Sequence, residues 1–257
     1  MAGGWTLLPL LLGVAAVASA SIFGTDDRLV VSHSKGSPFA PIGVVSDAAN
    51  NRYGTAFLVD ECHALTAEHV TAANDEGSRL DFLVGQRENL DFEKKTGATV
   101  VESGGFSERE WNRDADWLLL RLDQCLGREF GYLKLKAEPA PKRSTFQSAG
   151  YPSDRRSLKG QLVVDPHCAL IGEAARVWLH TCAGRAGDSG GPLFHYDPQA
   201  ADGAIEVYAI QVAANGTSIA KEPSRRDFDP DQPFIGLNEA VPVANILPRI
   251  RKYLDAP

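Results

Sequence analysis

The chain has 257 residues, of which 44% are hydrophobic, and its 26 basic and 33 acidic side chains give a formal net charge of −7. This hydrophobic content is sufficient for a buried core, and the length allows one large β domain or a pair of small barrels. A nucleic-acid-binding protein would normally present a basic patch, so the acidic balance argues against DNA or RNA as a partner.

The first 20 residues have most features of a secretory signal. They contain no charged side chain, include an apolar run over residues 7–18 and end in Ala18-Ser19-Ala20, which fits the small-residue cleavage rule. A basic residue near the start is missing, and a retained membrane anchor is the alternative, but the run is short for a membrane span. We therefore predict a signal peptide over residues 1–20 and a mature chain over residues 21–257, secreted or periplasmic, with no stable membrane anchor.

The first half of the mature sequence has the pattern of short β-strands. Residues 22–41 are polar and mixed, which predicts a loosely packed N-terminal segment. Residues 42–45 and 55–59 are β-branched or aromatic runs joined by a turn-rich link, which is typical of a hairpin. Further strands are predicted at residues 65–67, 80–84, 99–102 and 117–122. Residues 86–97 are charged and are predicted to form an exposed loop or hairpin.

The second half continues with short strands and ends in a helix. Closely spaced prolines within residues 137–141 cannot lie in a central strand, so they mark a linker. Strands are predicted at residues 146–150, 162–164, 169–172, 177–181, 192–196 and 207–213. Apolar residues at helical spacing predict a helix over residues 245–254. Short strands with turns between them indicate an all-β sandwich or barrel.

The cysteine content of a chain predicted to be exported indicates two disulfide bonds. Spacing alone leaves three pairings open among Cys62, Cys125, Cys168 and Cys182. A zinc site could be built from His167, Cys168, His180 and Cys182, but this spacing fits no standard zinc pattern. We therefore predict no bound metal.

A glycine-rich segment has the composition of a turn that carries a nucleophile. Residues 182–192 are C-A-G-R-A-G-D-S-G-G-P, so Ser189 is flanked by glycines. Glycine allows the positive φ of a tight turn, which exposes a hydroxyl beside backbone N–H groups. We predict Ser189 as the nucleophile and the N–H groups of Gly187 and Ser189 as the oxyanion hole. The same composition also occurs in ordinary turns.

Two upstream residues are candidates for the base and the acid that a serine nucleophile needs. His69 ends the sequence T-A-E-H, and Asp116 opens the apolar run D-W-L-L-L. The chain order His69, Asp116, Ser189 is that of one known triad type, whereas an α/β-hydrolase would place its histidine well after the serine. Only His195 follows Ser189, six residues on. Asp114 competes with Asp116 but does not directly precede the apolar run.

The three motifs together resemble those of trypsin-like serine proteases. T-A-E-H is similar to the family's T-A-A-H, D-W-L-L-L to its D-x-A-L-L, and G-D-S-G-G-P at residues 187–192 is its serine motif without a change. Residues 22–28 resemble the mature start of secreted bacterial glutamyl-endopeptidase-like members. Glu68 and Leu118 replace the family's usual small residues, but neither position supplies a catalytic group.

The resemblance implies an all-β fold of two antiparallel six-stranded Greek-key barrels with a C-terminal helix. The first barrel is expected at about residues 38–137, the second at about residues 142–242 and the helix at about residues 245–254. The resemblance also implies a disulfide between Cys168 and Cys182, which leaves Cys62 and Cys125 as the second pair.

The primary substrate pocket is placed by the same resemblance. Its base lies six residues before the serine, at Ala183, and its wall is formed by Val212, Ala213 and Ala214. A preference for Lys or Arg would need an acid at the base, so we expect small or medium apolar side chains at the cleavage site. A glutamyl preference would need a cationic pocket, to which Arg185 could contribute.

Asp188, directly before the serine, has two open roles. In the animal branch of the family an N-terminal Ile ammonium pairs with this aspartate, and the resemblance implies that Ile22 could do so after one further residue is trimmed. A buried ammonium needs such a carboxylate. Alternatively, Asp188 pairs locally with Arg185 or caps the turn, and the sequence does not decide between the two.

These features predict a secreted serine endopeptidase that cleaves protein or peptide substrates through an acyl-enzyme. The chemistry requires no cofactor, and we expect a monomer. A catalytically silent binding protein on the protease fold is one alternative, although such proteins usually lack a triad member and none is missing here. An esterase is the other, and the order of the three residues argues against it.

Overall fold

Six strands in the first half of the chain close into an antiparallel barrel. The structure is a computed structural model that describes residues 21–72, 75–86, 91–138, 145–154, 161–199, 203–214 and 236–254. The first-barrel strands are β2 (Ile42–Asp47), β3 (Arg52–Leu58), β4 (His63–Thr66), β5 (Arg79–Gln86), β6 (Phe92–Ser103) and β7 (Leu118–Leu122). They pair in the order β2-β3-β4-β7-β6-β5, and β5 returns to β2.

The apolar pattern explains how the first-barrel strands pack. Leu118, Leu119 and Leu120 of β7 are fully buried, as expected for a continuous apolar run in a central strand. The charged stretch at residues 86–97 was expected as a loop or hairpin. In the structure Gln86 ends β5 and pairs with Phe92, and residues 92–97 belong to β6, which continues to Ser103. Residues 87–90 lie outside the described residues.

A second barrel follows in the other half of the chain. Its strands are β9 (Thr145–Gly150), β10 (Leu162–Ala174), β11 (Val177–His180), β12 (Pro192–His195), β13 (Glu206–Ala213) and β14 (Asn238–Pro242). They pair in the order β10-β11-β14-β13-β12-β9, and the pairing of β9 with β10 closes the ring. The predicted fold of two six-stranded antiparallel barrels with a C-terminal helix is confirmed. Strand β8 (Lys134–Leu135) adds a short parallel pairing to β13.

Strand β10 corrects one detail of the sequence prediction. Two separate strands were expected at residues 162–164 and 169–172, but the structure has one strand of 13 residues. Its pairing with β9 shifts register between Asp165 and Cys168, around Pro166. A bulge is a place where a strand tolerates proline, because no ladder hydrogen bond is required there.

The prediction of a loosely packed N-terminal segment is wrong. Ser21 and His33 have no exposure to solvent, and Phe23 and Arg28 are nearly as buried. Strand β1 (Leu29–Val31) pairs with β10, and the segment thereby adds an edge strand to the second barrel. Backbone pairing, ion pairs and the packing of Phe23 against Ile171, Leu179 and Leu237 hold this segment, and its polar composition did not indicate these contacts. The predicted signal peptide, residues 1–20, lies outside the described residues.

Two disulfides and two helices complete the fold. Cys62 is bonded to Cys125 and Cys168 to Cys182, in the pairing that the family resemblance implies. Helix α1 (Gly127–Phe130) is a single turn, and α2 (Val243–Leu254) begins two residues before its predicted start and buries Val243, Ile246 and Ile250. In the described residues, no helix combines the length and the apolar character needed to cross a membrane.

Candidate active site

The pairing of β4 with β7 brings His69 and Asp116 together. Thr66, the last residue of β4, lies opposite Leu118, the first residue of β7. Because the two strands are antiparallel, the residues that follow Thr66 and those that precede Leu118 lie at the same end of the barrel. His69 stands there on a short 3-10 turn, Glu68–Val70, and Asp116 ends a second one, Arg113–Ala115.

The imidazole of His69 is oriented by a buried carboxylate. Its Nδ1 lies 2.7 Å from Asp116 Oδ2, and its backbone N–H donates to Asp116 Oδ1 at 3.0 Å. Asp116 has no exposure to solvent, whereas about a quarter of the His69 side chain is exposed. A carboxylate that accepts from Nδ1 places the imidazole proton there and leaves the lone pair of Nε2 for the cleft. Asp114 instead pairs with Arg176, at 3.5 Å, so the structure separates the two competing acids.

Ser189 is attached to the first barrel by Thr55, a buried residue of β3. The Thr55 N–H donates to the Ser189 carbonyl at 2.8 Å, and the Thr55 hydroxyl donates to the Gly187 carbonyl at 2.7 Å. On the other side, Gln211 of β13 exchanges backbone hydrogen bonds with Gly190 and Gly191. The serine loop is therefore fixed to both barrels, and it presents Ser189 at the junction where His69 stands.

Two glycines are required by the shape of this loop. Gly187 and Gly190 have φ of 100° and 86°, a region that other residues rarely adopt. A Cβ on Gly187 would overlap the Tyr151 carbonyl oxygen, and one on Gly190 would overlap the Thr55 carbonyl oxygen. In the part of the chain that the structure describes, neither the Gly187 N–H nor the Ser189 N–H donates to a protein acceptor. Both donors are thus available to a substrate oxygen.

Asp188, directly before Ser189, is buried and bonds locally. Its Oδ2 accepts from the Arg185 backbone N–H at 3.0 Å, which is one of the two roles left open by the sequence. Burial raises the pKa of this carboxyl to about 7, and the nearby Arg28 guanidinium and the Arg185 N–H oppose the rise. Arg28 also binds Asp154, at 2.9 Å. The pairing of Asp188 with a trimmed Ile22 stays a prediction.

Two cavities meet at His69 and Ser189. The first, of about 330 Å³, contains the predicted pocket wall, and its lining residues are His69, Trp111, Arg113, Arg185, Ala186, Ser189, Val212, Ala213 and Ala214. The second, of about 390 Å³, is lined by His69 and Ser189 together with Asn51, Arg52, Tyr53, Val70, Ser153, Ala186 and Gly187. The exposed Nε2 side of His69 therefore lies between two open spaces, an arrangement suited to a chain that extends in both directions.

Ala183, the predicted pocket base, is buried and lines neither of the two cavities that His69 and Ser189 share. It lines a separate cavity of about 10 Å³ with Arg28, Asp165 and Asp188. Its N–H donates to Asp165 Oδ2 at 2.6 Å, and burial raises the pKa of Asp165 to about 6. Directly after Ala183, Gly184 forms a backbone bridge with Ser21, which would be the first residue after the predicted cleavage.

Two polar residues near His69 were not assigned a role from the sequence. Glu68, noted only as a departure from the family motif, is buried, and its Oε2 accepts from Ser103 Oγ and from the N–H groups of Gly105 and Phe106, each at 3.0 Å. These bonds hold the Phe106 ring edge-on to the His69 ring, with centroids 6.3 Å apart. Arg113 binds Asp116, three residues further on, and the i,i+3 spacing of an arginine and an aspartate is the signal that could have indicated this contact.

Metal ligation is disfavoured by the state of the cysteines. Cys168 and Cys182, the sulfur ligands of the zinc alternative, are bonded to each other and cannot act as thiolates. Among the described residues, no group of three or more His, Cys, Asp or Glu side chains has a geometry that could hold a metal ion.

Comparison with known proteins agrees with the two-barrel fold. The family model described as Trypsin matches residues 42–224. The chain belongs to the trypsin family of proteases, and the family predicted from the three motifs is confirmed. No curated protein matches the chain significantly.

Two solved structures illustrate the likeness of the fold. One is a Glu endopeptidase in complex with MPD, with a TM-score of 0.66 and 16% sequence identity over 92% of this chain and 100% of the other. The second is an inactive form of the Rv3671c protease, with a TM-score of 0.51 and 17% identity over 84% of this chain and 90% of the other. At these identities the similarity concerns the fold.

Proposed function

We propose that the protein is an exported serine endopeptidase that uses Ser189, His69 and Asp116 as its catalytic triad. The observation that carries the proposal is that His69 is bound at Nδ1 by a buried carboxylate while it shares both cavities with Ser189. Family membership supports the peptidase class. The two adjoining cavities favour an extended peptide as the substrate over a compact ester.

The reaction follows from the roles that these groups can take. Ser189 Oγ attacks the peptide carbonyl carbon and transfers its proton to His69 Nε2, while Asp116 stabilises the imidazolium. The carbonyl oxygen, now an oxyanion, accepts from the N–H groups of Gly187 and Ser189, each worth about 2.7–4 kcal/mol by analogy. The imidazolium then protonates the leaving amine, which gives an acyl-enzyme. Water activated by His69 releases the acid and restores Ser189.

The side chain accepted before the scissile bond is proposed to be small or medium and apolar. Val212, Ala213 and Ala214 contribute an apolar wall to the cavity that also contains Arg113 and Arg185. Arg185 also lines this cleft, but its Nε lies 3.1 Å from Asp154, so a carboxylate already offsets its charge. A substrate glutamate would have to compete with Asp154 for the guanidinium, which makes a glutamyl preference less favourable.

Export is proposed from the leader and from the disulfides. Two disulfides are typical of proteins that fold in an oxidising compartment, such as the extracellular space or the periplasm. We propose cleavage after Ala20, which would leave Ser21 in its bridge with Gly184 as the mature N-terminus. The mature chain is proposed to act as a monomer without a cofactor or a membrane anchor.

The decisive test is covalent labelling by a fluorophosphonate, followed by intact-mass spectrometry and peptide mapping. We expect one adduct, on Ser189, and a mature chain that begins at Ser21. Ser189→Ala should fold and lose the label, whereas Ser46→Ala, which changes a strand serine that lines neither cavity, should keep it. An adduct on Ser189→Ala would place the nucleophile elsewhere.

Absence of labelling on the folded wild-type chain would contradict an active triad in that form. Trimming to Ile22 and repeating the reaction then separates two explanations. Labelling after trimming identifies a zymogen in which the Ile22 ammonium is required, and continued absence identifies a binding protein on the protease fold.

A further inference from the structure

Arg113 contacts the same carboxylate oxygen that binds His69. It begins the 3-10 turn Arg113–Ala115, and its Nη1 donates to Asp116 Oδ2 at 3.1 Å. That oxygen lies 2.7 Å from His69 Nδ1. The fully buried Asp116 carboxylate is therefore held between an imidazole and a guanidinium.

The guanidinium of Arg113 is itself constrained by its surroundings. Its central carbon lies 3.9 Å from the centre of the Trp111 ring and 5.1 Å from that of the Phe106 ring. Its Nε lies 3.7 Å from Glu239 Oε2, on β14 of the second barrel. Because cation–π contacts and an ion pair restrict a long side chain, Arg113 presents its N–H to Asp116 from a defined position.

The charge of Arg113 acts directly on the Asp116 carboxylate. Other charged side chains near the His69–Asp116 pair are Glu68, Asp114, Glu239, Arg52, Arg176 and Arg185. Arg113 is the cation that donates a hydrogen bond to Asp116 Oδ2. A hydrogen bond between ionised groups is stronger and more directional than a neutral one, so it can hold the carboxylate in one orientation.

We propose that Arg113 is a positioning residue for the His69–Asp116 pair. It holds the Asp116 carboxylate in the orientation that receives the imidazole N–H. The proposal rests on the proposed protease function, because it concerns the same triad. It also gives a role to Glu239, which connects the His69–Asp116 pair of the first barrel to a strand of the second.

Variants of Arg113 should test this positioning role. Arg113→Gln removes the charge, Arg113→Lys keeps it without the planar fork, and Arg176→Gln is the matched control, since it removes a cation that pairs with Asp114 outside the cleft. The readouts are kcat and KM for a short peptide substrate. A third readout is the downfield proton NMR signal of the His69 Nδ1–H in a Ser189→Ala background, which does not require turnover.

For Arg113→Gln, we expect kcat to fall about 10- to 100-fold, as for the loss of a charge-assisted hydrogen bond, with KM within about threefold. The downfield His69 Nδ1–H signal should move or broaden, because the carboxylate that accepts this proton is no longer held by Arg113. Arg113→Lys should keep a signal closer to that of the parent and recover only part of kcat. Arg176→Gln should match the wild type in every measurement.

Other results would overturn the proposal. An unchanged kcat and an unchanged His69 Nδ1–H signal in Arg113→Gln would leave Arg113 as part of the cleft wall, and a change in KM alone would make it a substrate contact. If Arg113→Gln fails to fold, a fully wild-type kcat in Arg113→Lys refutes the positioning role. A wild-type chain without Ser189 labelling refutes the protease function itself, whereas a labelled wild type with an unaffected Arg113→Gln refutes only the role of Arg113.

Discussion

Replacing the Asp188 carboxyl with an amide should make the protein more stable at alkaline pH. Burial raises the pKa of Asp188 from its ordinary value of 3.8 to about 7. Between these two values the folded chain holds a proton that the unfolded chain has lost, so the free energy of unfolding falls as the pH rises through this window. At about 1.36 kcal/mol for each pH unit, the penalty approaches about 4 kcal/mol above pH 7.

Asp188→Asn removes this penalty and keeps an acceptor for the Arg185 N–H. The assay is urea unfolding from about pH 4 to about pH 8 in a Ser189→Ala background, which prevents self-digestion. The variant should equal its parent near pH 4 and exceed it increasingly toward pH 8. Asp165→Asn is the companion measurement, and its gain should be complete nearer pH 6, because burial raises the pKa of Asp165 to about 6.

A stability difference between Asp188→Asn and its parent that does not vary with pH would refute this reasoning. It would mean that the Arg28 and Arg185 charges keep the Asp188 carboxyl ionised throughout the range. If Asp188→Asn instead becomes less stable than its parent toward alkaline pH, the ionised Asp188 carboxylate stabilises the fold through Arg28 and Arg185. That result would be the opposite of the proposed effect.

Two further predictions concern the serine loop and the cleft. Gly190→Ala should cost several kcal/mol in urea unfolding and abolish fluorophosphonate labelling, because its Cβ would overlap the Thr55 carbonyl oxygen, whereas Gly24→Ala, also at positive φ but in open space, should cost only about 1–2 kcal/mol and keep the label. In a peptide library, cleavage should follow small or medium apolar residues, and a dominant cleavage after glutamate would show that Asp154 does not neutralise Arg185.

The triad candidates could be predicted from the sequence because each stands within a short local pattern. His69 follows one strand, Asp116 precedes another, and Ser189 lies among glycines that a tight turn requires. The fold followed from the family that these motifs indicate. Strand boundaries were less predictable, since residues 92–97 lie in β6 although their charged side chains gave no apolar alternation, and the N-terminal segment is held by backbone pairing with β10.

The contacts that join the site to distant parts of the chain could not be predicted, because their two residues are far apart in the sequence. Thr55 bonds to Gly187 across 132 positions, and nothing in the strand sequence of β3 distinguishes this threonine from its neighbours. Likewise, Arg113 is near Asp116 in sequence, but its partner Glu239 is contributed by the second barrel. Such contacts exist only once both barrels have closed, so local propensity carries no information about them.

Glu68 shows most directly why a motif comparison underestimates a residue. Compared with the family pattern, it replaces a small residue and supplies no catalytic group. In the fold, a single carboxylate oxygen satisfies two backbone N–H groups and one hydroxyl of the segment that holds Phe106 beside His69. Buried donors left without an acceptor are costly, so a small side chain here would require another way to hold that segment. A departure from a motif can therefore be balanced by a change in the loop that faces it, and only the folded structure identifies that loop.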